Sequence, residues 1–96
     1  MNLNVNYESL KSIGNSLISK SNEFDSLLSN INNINSEIAG VWAGTDSVKY
    51  SQSVESQAQV MRKLSSLIGD IGTFLIKVGN AYENASQENA NSINFN

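Results

Sequence analysis

Ninety-six residues make one small domain, and a single pair of helices of that length encloses little core by itself. The chain has no His and no Cys, which removes imidazole bases, thiolate nucleophiles, soft metal sites and disulfides. Its net charge is -3, and the six cations Lys11, Lys20, Lys49, Arg62, Lys63 and Lys77 are scattered among acids, so the basic footprint that nucleic acid requires is missing.

The first element is legible from its start. Asn6 can cap a helix, Glu8 follows in the first turn, and Val5 and Leu10 occupy the two positions of a hydrophobic staple. From there Leu10, Ile13, Leu17, Lys20, Phe24, Leu27, Ile31, Ile34, Ile38 and Val41 recur at alternating steps of three and four. Only Lys20 interrupts this apolar stripe. The spacing predicts a helix over about 6–39, with Gly40 taking the left-handed conformation that ends many helices.

A turn is expected at 40–44, where Gly40 and Gly44 permit a sharp reversal and Trp42 can pack over the end of the hairpin. The second helix is expected over about 45–88, capped by Thr45 with Asp46 in its first turn. Its stripe reads Tyr50, Val54, Gln57, Met61, Leu64, Ile68, Ile71, Leu75, Val78, Tyr82 and Ala85, and a flanking row at Val60, Leu67, Phe74 and Ala81 widens it. A face of that width suits a bundle with more than one neighbour. On the other flank runs a row of small residues, Ala58, Ser65, Gly72, Gly79 and Ser86. It reads as close helix-to-helix approach at a dimer interface, or else as a solvent-facing accident of a chain rich in small polar residues. Residues 89–96 lose the pattern and are expected to fray, with Ile93 and Phe95 stranded in them.

Two long amphipathic segments joined by a short turn predict an all-α fold, an antiparallel helix-turn-helix hairpin. Leu17, Phe24, Ile31, Met61, Leu64, Ile68, Ile71, Leu75 and Val78 form the expected hairpin and dimer seam. A lone hairpin leaves the wide face of the second helix partly uncovered, so two hairpins are expected to pair into a four-helix bundle. The sequence leaves open whether this is a homodimer or a heterodimer with a paralogue.

Trp42-Ala43-Gly44, placed mid-chain between two heptad-patterned helices in about one hundred residues, resembles the WXG100 (ESAT-6-like) family of type VII secretion system proteins, and the resemblance runs the length of the chain. It implies a small secreted helical-hairpin protein without a cofactor, acting as substrate or co-secretion partner. The partners it implies are the secretion ATPase and a larger toxin substrate. It also implies export without a cleavable signal peptide from a cytoplasmic start, in keeping with the absence of a basic n-region and apolar h-region in MNLNVNYESLK. No transmembrane segment is expected. Trp42 would then form part of a recognition surface for the secretion machinery as well as fixing the turn, with Gly44 as the other residue of the turn motif.

The family's Tyr-x-x-x-Asp/Glu export signal is only partly present, because Tyr82 is followed four residues later by Ser86. Tyr82 also falls on the heptad register, so a seam role accounts for it equally. The departure leaves an alternative, a cytoplasmic helical adaptor for a larger secreted toxin. An enzyme is not expected. The serines lack a base partner, Glu23 and Asp25 fall on different helix faces, and Gly69, Gly72 and Gly79 lie mid-helix, not in a phosphate-binding loop.

Overall fold

The computed structural model describes residues 5–94, with side chains described to residue 88. Two helices account for it, α1 at Tyr7–Val41 and α2 at Thr45–Asn94. They pack antiparallel into a rod of 79 × 19 × 15 Å. Without Pro to break them, three- and four-residue apolar spacings propagate through 35 residues of α1 and 50 of α2.

The start of α1 is as expected. The Asn6 side-chain carbonyl accepts the Ser9 N–H at 3.0 Å, and its backbone carbonyl accepts the Leu10 N–H at 3.1 Å. The end differs. Gly40 remains helical, and α1 runs on to Val41. Trp42 then leaves the helix in extended geometry (φ -134, ψ 110), its N–H held by the Ile38 carbonyl at 3.0 Å.

Among the described residues, positive φ occurs at Gly44 alone, where φ is 124. One such residue suffices for the reversal, so Gly40 is free to stay in the helix. The Gly44 carbonyl accepts the Val48 N–H at 3.2 Å, which puts Gly44 in the cap position expected for Thr45 and makes Thr45 the first residue of α2. The far end differs too. Fraying was expected from residue 89, yet α2 continues to Asn94. The stretch after Ser86 carries neither Gly nor Pro, so nothing in it stops a helix already propagating. The Ile93 side chain and Phe95 lie outside the described residues.

The core is thin. Leu28, at 5% exposure, is the buried large hydrophobic residue among those described, and Ser21, Ser47, Ser65, Gly14, Gly72 and Gly79 are the other buried positions. Small and polar residues therefore occupy most of the line where the helices touch, joined by Leu28 and by Ile18 and Ile76, which pack against the facing glycines. The apolar stripes lie beside that line.

Candidate functional site

The contact between the helices is built on small residues. A Cβ placed on Gly14 would stand 2.5 Å from the Gly72 carbonyl oxygen, and one on Gly72 would stand 2.6 Å from that of Gly14. A Cβ on Gly79 would meet the Lys11 side chain at 2.7 Å and the Tyr7 carbonyl at 3.1 Å. The small row of α2 is thus used for close approach inside the hairpin, not at the dimer interface where the sequence reading had placed it. Ala58 is half-buried in the same row, and Ser86 is exposed.

Halfway along this line lies a polar knot. Ser21 Oγ donates to the Ser65 carbonyl at 2.8 Å, while Ser65 Oγ lies 3.0 Å from the Ser21 carbonyl and 2.7 Å from Asp25 Oδ1. Ser65 has one proton to give, and the carboxylate is the stronger and closer acceptor. Asp25 therefore serves as a seam acceptor. Glu23 is exposed and pairs with Lys20 at 3.3 Å. Towards the open end Lys11 forms an ion pair with Glu83. Its hydrogen bond to that carboxylate raises the lysine pKa above its ordinary value, outweighing the opposing desolvation, and the charges of Glu83, Glu8 and Tyr7 add smaller upward contributions. Neither this pair nor the serine knot follows from periodicity. The only hint in the sequence was that each partner falls one step outside its apolar stripe.

The apolar stripes themselves stay largely open. Leu17, Phe24, Ile68, Leu75 and Val78 are half-buried, whereas Ile13, Leu27, Ile31, Ile34, Met61, Leu64 and Ile71 are exposed. Each stripe lies one residue N-terminal to its helix's contact line. In antiparallel helices this offset turns both stripes to the same side of the rod. A groove of about 260 Å³ joins them, with Phe24, Leu27 and Ile31 on one wall and Val54 and Met61 on the other. Val60, Leu67 and Phe74 stand at the α2 edge of this face. Contiguous apolar faces of this kind commonly mark association surfaces.

Among known structures the chain is similar to EsxA of Geobacillus thermodenitrificans (crystal form I), with a TM-score of 0.86 at 19% identity, over 93% of this chain and 99% of that one. The chain has the EsxA fold. The WXG100 resemblance read from Trp42-Ala43-Gly44 and the chain length thus holds at the level of the fold. No protein-family model matches the sequence, and no curated protein matches it.

On this EsxA fold the Trp42-Ala43-Gly44 turn forms one tip. Trp42 packs against Tyr50 with ring centroids 5.5 Å apart and planes tilted by 46°. Its carbonyl accepts the buried Ser47 hydroxyl at 2.7 Å, and its side chain remains 41% exposed. Gly44, with its positive φ, sets the direction in which α2 leaves. The tip's backbone is therefore tied by hydrogen bonds at both sides of Trp42, while the Trp42 side chain stays open. Tyr82 lies far from it on α2, half-buried beside Glu83. Among the described residues no helix is long and apolar enough to cross a membrane, and no cluster of acidic side chains could hold a metal ion.

Proposed function

We propose that the chain is a small non-enzymatic substrate or co-secretion partner of a type VII secretion system, acting through helix–helix association of its apolar face. The observation that carries this reading is an EsxA fold whose strongest apolar residues face outward while its helices meet through Gly and Ser. Covering that face with a second hairpin gives a four-helix bundle with a buried core. Trp42, exposed on a fixed tip, is the recognition element we assign to the secretion machinery. The experiment is export: intact chain in the culture medium when the system's ATPase is active, and none when it is inactivated.

Ser86, where an acid would complete the signal begun by Tyr82, favours a second reading. In it the chain is an adaptor that binds the helical region of a larger toxin and either travels with it or stays behind. Export of the chain without any partner gene would rule this out. Retention in the cell as a stable complex with a toxin segment would support it.

A further inference from the structure

Beyond Leu28 the contact line towards the tip runs through Asn35 on α1 and through Ala58 and Ser51 on α2, all half-buried. These side chains are too small to fill the space between the helices. A cleft of about 400 Å³ opens there, within the size range of small-ligand sites. Asn35 lines it, and Asn35 Oδ1 is, among the described residues, the buried side-chain polar atom that has no hydrogen-bond partner. An unmet buried acceptor is costly and calls for a donor.

Two charges line the same cleft from α2, Glu55 and Arg62. Both are exposed, and the ion pairs among the described residues are those of Lys11 and Lys20, so neither charge is matched there. Glu55 follows Ser51 by four residues and Arg62 follows Ala58 by four. The apolar stripe stands four before the same line, at Val54 before Ala58 and Met61 before Ser65. The two charges therefore lie on the other side of the contact line from the apolar face, and covering that face leaves them in water.

We infer that this cleft binds a free short peptide of small residues, of tripeptide length, with its ammonium between Glu55 and Asn35 Oδ1 and its carboxylate on Arg62. The site lies apart from the association surface and does not depend on it.

The match is one of charge order and length. Gly14 faces Gly72 and Ser21 faces Ser65, so continuing the antiparallel register sets Asn35 opposite Ser51, one turn from Glu55. Two acceptors thus share the tip end of the cleft, and an ammonium, with three donors, satisfies both. Arg62 stands seven residues further from the tip than Glu55, about 10.5 Å at 1.5 Å per residue. Three extended residues at about 3.4 Å each cover about 10 Å. The guanidinium fork takes the carboxylate at that end.

Titration of isotope-labelled protein with trialanine, followed by NMR, tests the site. Saturable shifts are expected at the Asn35 side-chain amide and along the cleft, with a Kd on the order of 1 mM for so open a site. N-acetyl-trialanine lacks the ammonium and is expected to bind the wild type about threefold more weakly, a penalty that disappears in Glu55→Gln. Trialanine amide lacks the carboxylate, and its penalty is expected to disappear in Arg62→Gln. Asn35→Ala is expected to weaken trialanine about threefold while leaving the ligand-free protein at least as stable in urea, because it removes an unmet acceptor. No saturable shift, capped peptides that bind the wild type as well as trialanine does, or unchanged binding by Asn35→Ala would overturn the proposal and leave a cleft filled by solvent. Light scattering on the same samples separates the two readings. A dimer that ignores the peptide overturns this site alone, and a monomer that binds it overturns the association alone.

Discussion

Gly14 and Gly72 meet backbone to backbone across the hairpin, each leaving so little room that a Cβ on one would stand within 2.6 Å of the other's carbonyl oxygen. The atom in the way is main chain in both directions and cannot swing aside. Alanine favours a helix over glycine by about 1 kcal/mol, but forcing a methyl into a closed contact costs about 1–3 kcal/mol. Gly72→Ala is therefore expected to destabilise the protein in urea unfolding followed by circular dichroism at fixed protein concentration. Gly40→Ala is the control. It is helical with nothing within 4 Å of the added methyl, and is expected to gain roughly 0.5–1 kcal/mol.

The serine knot makes a second prediction. Ser65 is 1% exposed, and its hydroxyl serves Asp25 across the seam. Ser65→Ala leaves Ser21 its bond to the residue 65 carbonyl but removes the donor to the carboxylate, at a cost of about 1–2 kcal/mol. Asp25→Asn retains an acceptor oxygen and is expected to cost less in the same unfolding measurement. Equal losses for the two variants would mean that the hydroxyl–carboxylate contact contributes nothing specific.

That knot also marks where the sequence stops being readable. The helices were legible because alternating three- and four-residue spacing is the same signal whichever neighbour covers the stripe. The identity of the neighbour was not. Hydrophobicity says that Leu64 and Ile71 avoid water, but it does not say whether α1 or another chain shields them. Gly72 and Ser65, read as a dimer contact, lie inside the hairpin because small residues let two backbones approach where leucines would hold them apart. The turn was legible with both of its glycines, but the left-handed conformation expected at Gly40 is not adopted, because Gly44 alone carries the positive φ that the reversal needs. At the far end, Asn-rich composition suggested fraying, but without Gly or Pro the helix had no local stop. The tip was visible through Trp42, while the Ser47 hydroxyl that holds its carbonyl has no pattern of its own.

The Lys11–Glu83 pair gives a pH signature at the open end of the hairpin. Folding raises the Lys11 pKa, so the folded state holds that proton more tightly than the unfolded chain. The associated stability is complete below the ordinary lysine pKa and is lost as pH rises through the raised one. The difference in unfolding free energy between wild type and Lys11→Met should accordingly stay constant across neutral pH and shrink in the alkaline range. A difference that grows with rising pH would contradict the pairing.

Ile71 is exposed in the single hairpin and central to its apolar face. An acid there leaves the Gly- and Ser-lined seam untouched but puts a charge where a second hairpin would exclude water. Ile71→Glu is expected to abolish association on a sizing column, whereas Thr73→Glu, on an exposed position beyond the stripe, is expected to leave it intact. Equal behaviour of the two variants would argue that the stripe is not the contact.

The central claim is that this hairpin is built to be covered, because its helices meet through glycine and serine while its large apolar residues face outward. Light scattering on a sizing column, with far-ultraviolet circular dichroism of the same sample, tests it most directly. The expected result is a highly helical species at twice the chain mass of 10.4 kDa, dissociating on dilution with loss of helicity. A stable, fully helical monomer of 10.4 kDa that persists at high concentration would contradict it.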